Sequence, residues 1–145
     1  MSKAQKVKVI VTMIGLDGHT TGGEVVARML RDAGIEVVYL GVNQTPEMIA
    51  RAAIHEDVDI IGISSHAANY AQIEELLDLL RDKGADDIPV VCGGNIPRTL
   101  ARRLKDKGVA GIFLPGASRE EIVTFMLSHA RTDRADAPDQ AGLVN

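Results

Sequence analysis

Five short apolar runs rich in β-branched residues recur along the chain, each separated from the next by a stretch with helical periodicity. They are Val7 to Ile14, Glu36 to Leu40, Ile60 to Ser64, Ile88 to Cys92 and Gly111 to Leu114. None alternates cleanly between polar and apolar, so each suits a strand buried on both faces of a parallel sheet. The stretches between them carry helix punctuation. Thr45 followed by Pro46 reads as an N-cap and first helical residue, Ser118 with Glu121 as a capping box, and Gly34, Gly84 and Gly108 as C-terminal stops. Five strand-then-helix units predict a doubly wound α/β sandwich, because right-handed crossovers place helices on both faces of the sheet. The commonest order for such a sheet is 2-1-3-4-5, with ligands at the carboxyl ends of the strands beside the switch point between strands one and three.

That rule selects four loops: Gly15 to Gly22, Ser64 to Tyr70, Gly93 to Pro97 and Pro115 to Ser118. The rest of the composition narrows what they can serve. At 145 residues and 46% apolar content the chain is long enough for one core. A single domain over residues 1–130 is expected, followed by a disordered tail over 131–145, where the sequence turns polar and aperiodic. Sixteen basic against twenty acidic residues give a net charge of −4, which offers no long-range attraction to nucleic acid or to an anionic membrane. Cys92 is the only cysteine, so no disulfide can form within the chain, and the first residues lack the apolar core of a secretory signal. A cytoplasmic protein is expected.

The first loop reads Asp17-Gly18-His19-Thr20-Thr21-Gly22. A carboxylate two residues before a histidine can accept a hydrogen bond from one ring nitrogen and fix the tautomer. The other nitrogen then presents its lone pair outward, as metal-ligating histidines require. Gly15, Gly18, Gly22 and Gly23 permit close approach of a bulky ligand. A zinc site would want three or four protein ligands, and His55 and His129 fall in helices away from this loop. A single imidazole suits a metal whose other positions are filled by a macrocycle. The third-strand loop, Ser64-Ser65-His66-Ala67-Ala68-Asn69-Tyr70, and the fourth, Gly93-Gly94-Asn95, are built largely from small residues. Their small size implies open volume for an inserted ring system, or close strand-to-helix packing.

Over almost all of residues 7–130 this pattern resembles the cobalamin-binding domain of adenosylcobalamin-dependent mutases, a flavodoxin-like fold. Asp17, His19 and Gly22 match that family's Asp-x-His-x-x-Gly motif in every fixed position, Ser64 the serine of its Ser-x-Leu motif, and Gly93-Gly94 its glycine pair. The resemblance implies base-off/His-on binding: the dimethylbenzimidazole leaves cobalt and His19 becomes the lower axial ligand. Asp17 would orient His19, and the nucleotide tail would enter a slot between strands one and three. Ser64 would hydrogen-bond the base, with Gly93 and Gly94 leaving room for the tail. Gly18, Thr20, Thr21, Ser65, His66, Asn95, Pro115 and Gly116 complete the expected cofactor-binding set. His66 stands where the family usually has leucine or threonine.

Related methyl carriers and photoreceptors place a helical module before this domain, whereas only Met1 to Lys6 precede the first strand here. The expected arrangement is therefore a free-standing subunit, without catalytic residues of its own, that presents adenosylcobalamin to a separate TIM-barrel mutase subunit holding the substrate. "GLDGH", "QTPE" and "GVAGIFLPGAS" look most like the acyl-CoA mutases of the methylmalonyl-CoA type, and "GGNI" is similar to the small subunit of glutamate mutase. In either class, homolysis of the cobalt–carbon bond starts a radical 1,2-rearrangement, an isomerase reaction. A cobalamin carrier or sensor without a mutase partner fits the same motifs. A flavodoxin-like electron carrier would want aromatic rings at a flavin, and the loops offer only Tyr70. A response regulator would want aspartate and lysine where Ser64 and Pro115 stand. The basic stretch Arg98, Arg102, Arg103, Lys105 and Lys107 reads as a solvated helix face or a partner contact.

Overall fold

Each apolar run forms a strand and each periodic stretch a helix: β1 (Lys8–Thr12), α1 (Thr21–Asp32), β2 (Glu36–Gly41), α2 (Pro46–Glu56), β3 (Ile60–Ser65), α3 (Tyr70–Asp82), β4 (Val90–Gly94), α4 (Arg98–Lys107), β5 (Gly111–Phe113) and α5 (Arg119–His129). The structure is a computed structural model that describes residues 7–14, 21–65, 70–113 and 116–131. All strand pairs are parallel and the sheet order is β2-β1-β3-β4-β5, as the alternation of elements predicts. The expected tail from residue 132 onward lies outside the described residues.

Successive strand residues point to opposite faces, and the sheet accordingly feeds two cores. Ile10, Ile61, Ile63 and Cys92 pack with Ala53, Leu76 and Leu104 under α2, α3 and α4. Val9, Val11, Ile60 and Val91 pack with Ala27, Leu30, Ile122 and Met126 under α1 and α5. The helix ends follow the sequence. Thr45 Oγ1 accepts from Met48 N at 3.1 Å, and Ser118 and Glu121 close a reciprocal box at 3.1 and 2.7 Å. α2 has no glycine stop; Asp57 takes the left-handed conformation instead, at φ 54°. Two of the five basic residues on α4 are paired to α3, Arg103 with Glu74 at 2.9 Å and Lys107 with Asp78 at 3.2 Å.

Two boundaries differ from expectation. β4 starts at Val90 rather than Ile88, because the Ile88 N–H closes a turn onto the Ala85 carbonyl at 3.1 Å and Pro89 has no N–H to give. It then continues through Gly93 and Gly94, which pair with Ser64 and Ser65. Arg131, expected as the first residue of the tail, is part of the fold. Its N–H donates to the Asp59 carbonyl at 2.9 Å. Its guanidinium reaches Asp57 at 2.5 Å, Asp87 at 2.9 Å and Asp59 at 3.7 Å. Asp59 is itself 1% exposed and accepts from Lys8 N at 2.9 Å. Arg131 thus ties the end of α5 to the amino ends of β1, β3 and β4.

Arg131→Ala should leave Asp59 buried with part of its partnership gone and cost on the order of 1–3 kcal/mol. A lower urea midpoint at unchanged slope would report it, and an unchanged midpoint would show the clasp to be energetically idle. Burial pushes the Cys92 thiol from 9.0 up to about 12. Below pH 9 both folded and unfolded states hold the proton. Between pH 9 and about 12 only the folded state does, so stability should fall as pH rises, by about 1.4 kcal/mol per unit. Urea unfolding across that range should show this slope in the native protein and its loss in Cys92→Ala.

Candidate functional site

Strand register places the small residues in two rows on the face beneath α1 and α5. The deeper row runs Val11, Gly62, Val91, Gly111, and the row nearer the carboxyl ends runs Ser64, Gly93, Phe113. Where a sheet buried on both faces normally presents Val or Ile, β3 and β4 present two glycines and a serine. A cavity of about 640 Å³ results. Its roof is α1, through Val25, Val26 and Met29, and α5, through Ile122 and Met126, with Gly22 and Gly23 of the first turn of α1 at one end. Asn95, Gly116 and Ala117 edge its mouth at the carboxyl ends of the strands. Ser64 and Asn95 are the two polar side chains among the described lining residues.

The glycines are matched to what lies over them. A Cβ on Gly62 would stand 2.9 Å from Met126 Cε, and one on Gly93 2.8 Å from the Phe113 ring. Gly94 has φ +109° and a Cβ there would strike the Ser65 carbonyl oxygen, so only glycine fits. That carbonyl also accepts from Asn95 N at 3.1 Å, which fixes the turn after β4. Over β5 the cavity is closed by stacked rings. Phe113 meets Phe125 edge-on at 4.9 Å, and Phe125 meets His129 at 4.3 Å. Behind the first turn of α1, the Tyr39 ring lies 3.7 Å from a Cβ on Gly23, and its hydroxyl is buried without a hydrogen-bond partner among the described residues. Burial, and then the nearby Glu24 carboxylate, raise its pKa, so it stays a protonated donor.

Of the residues expected from sequence, Gly22, Ser64, Gly93, Gly94, Asn95 and Gly116 line this one cavity. Ser65 is fully buried and does not line it: it follows Ser64 by one residue and so faces the α2–α4 side. Asp17, Gly18, His19, Thr20, His66 and Pro115 lie outside the described residues, as does the side chain of Thr21, whose backbone opens α1. The cavity extends over β1, β3, β4 and β5 rather than between strands one and three alone. Sequence reasoning missed Gly62, Val91, Phe113 and Met126. Gly62 had a usable signal, since a glycine inside a β-branched run marks close approach of a ligand or of another backbone.

A family model for the B12 binding domain matches residues 7–124. The chain is 41% identical over 138 residues to the pivalyl-CoA mutase small subunit of Xanthobacter autotrophicus, covering 95% of this chain and 93% of that one. It is 37% identical over 123 residues to the 2-hydroxyisobutanoyl-CoA mutase small subunit of Aquincola tertiaricarbonis, covering 84% and 90%. Among solved structures, a cobalamin-binding protein from Desulfitobacterium hafniense superimposes with a TM-score of 0.75 at 19% identity, over 87% of this chain and 60% of that one. At that identity the likeness speaks for the fold. The chain belongs to the B12-binding domain family.

The cavity fits the tail of such a cofactor. It is apolar, it is open at the carboxyl ends, where β1 leads in sequence to the Asp17–His19 segment, and its floor over β3 and β4 is built on Gly62 and Gly93. Gly62→Val puts a β-branched side chain, favourable in a strand, into that floor, and the flexible end of Met126 can give way. Folding should therefore survive while affinity for cobalamin falls about tenfold or more. Titration of cobalamin followed by visible absorption checks this, and wild-type affinity in a folded Gly62→Val would mean that the tail lies elsewhere.

Proposed function

We propose that this chain is the cobalamin-binding small subunit of an adenosylcobalamin-dependent acyl-CoA mutase, acting with a large TIM-barrel subunit that holds the acyl-CoA. The observation that carries the reading is the apolar, glycine-floored cavity opening beside the end of β1, in a chain whose full-length relatives are acyl-CoA mutase small subunits. Those relatives favour the acyl-CoA class over the glutamate-mutase class. Adenosylcobalamin supplies a cobalt–carbon bond weak enough to break homolytically. The chain's own residues bind and orient. His19 would hold the cobalt, with Asp17 accepting a hydrogen bond from its other ring nitrogen; the cavity would shelter the nucleotide base from water, and Ser64 would offer that base a hydrogen bond at the mouth. Thr20, Thr21, His66 and Pro115 would complete the set of contacts to the tail. The rearrangement itself belongs to the partner's face of the cofactor.

Electron paramagnetic resonance of the cob(II) form, with histidine labelled by nitrogen-15, should show a hyperfine coupling altered by the label. His19→Ala should abolish it. Asp17→Asn should keep it while weakening binding by about 10–100-fold, the usual cost of losing an outer partner of a metal-bound histidine. A coupling indifferent to the label would remove the His-on reading.

A further inference from the structure

We propose that the cavity selects corrinoids by their lower base, admitting a benzimidazole and discriminating against a purine, and that Val91 and Met126 set this preference. The inference rests on the reading above that the nucleotide tail enters the cavity. Ser64 and Asn95, at the carboxyl ends of β3 and β4, serve only the mouth. Two residues deeper the wall is Val11, Gly62 and Val91, roofed by Met126 and Ile122. No side-chain N–H or O–H is present there among the described residues, the strands' backbone groups are engaged in their ladders, and the Met126 sulfur is a weak acceptor. The far edge of 5,6-dimethylbenzimidazole is hydrocarbon and suits this wall. The corresponding edge of adenine carries an exocyclic amine and ring nitrogens. One such group buried without a partner lowers affinity roughly 5- to 150-fold.

The test titrates the full chain with cobalamin and with its adenine-containing counterpart, pseudocobalamin, and takes the ratio of their dissociation constants. The two cobamides release their bases from cobalt with different ease, but that difference is common to all variants and cancels when ratios are compared. Val91→Thr and Met126→Gln each bring a polar group to the deep row with little change in volume. Both should shift the ratio toward the adenine form by about fivefold or more. Val91→Thr is nearly isosteric in a strand, so it carries the test should Met126→Gln fold poorly. Unchanged ratios, in a protein whose Gly62→Val variant binds both cobamides more weakly, overturn the selectivity and leave the tail in the cavity. If Gly62→Val weakens neither cobamide, the tail is not in the cavity and the underlying reading falls with the selectivity.

Discussion

A parallel sheet covered on both faces has to be filled on both faces, and this one is filled throughout on one of them and only in part on the other. Under α2, α3 and α4 the strands present isoleucines and Cys92 to a continuous apolar core. Under α1 and α5 the same central strands present Gly62, Ser64 and Gly93, with Ser64 paired to Gly93 and Gly62 to Val91 across β3 and β4. Empty apolar volume costs stability because its lining loses contact partners. A chain that keeps some 640 Å³ of it must find cohesion elsewhere. The parallel ladders and the α2–α4 core supply that, and the opposite face is left shaped for something the chain does not itself provide.

The helix that roofs the cavity is held at both ends rather than by its middle. Ser118 and Glu121 close the amino end of α5, and Arg131, just past its carboxyl end, pairs with three aspartates near the amino ends of β3 and β4. Between these anchors only Ile122 and Met126 of α5 are buried. Met126 of α5 and Phe113 of β5 lie against Gly62 and Gly93, where a Cβ would stand 2.9 and 2.8 Å from them.

Periodicity made the architecture legible, since unalternating β-branched runs separated by capped helices leave few alternatives to this sheet order. The cavity was legible in part. Gly93, Gly94 and Ser64 stand out as small residues near strand ends, but the sequence reading puts Gly93 and Gly94 in a loop and ends the third strand at Ser64, whereas β4 runs through Gly94 and β3 through Ser65. That distinction decides which of them point at a ligand, because inside a strand neighbours alternate, so Ser64 faces the cavity and Ser65 does not. Gly62 and the bulky residues opposite it were missed because a cavity wall is defined by register across strands, and no local window contains Val11, Gly62 and Val91 together. Arg131 was missed for the same reason, its partners being 44 to 74 residues away in sequence.

The departures from local good practice gather around one end of the cavity. Gly22 and Gly23 sit in the first turn of α1, where glycine is a poorer helix former than alanine. Beside them the Tyr39 hydroxyl is buried without a hydrogen-bond partner among the described residues, and β1 and β2 slip register between Val11 and Thr12. Gly23 can be nothing larger without displacing the Met13 sulfur, which would stand 2.9 Å from its Cβ. Taken singly, each is a small loss of stability. Together they concentrate the loss at the junction where the Asp17–His19 segment meets the helix in sequence. Sequences that give up stability locally tend to do so where function requires it. Under the proposed reading, cobalamin bound there would return free energy to the fold by mass action, coupling occupancy of the cavity to the stability of α1.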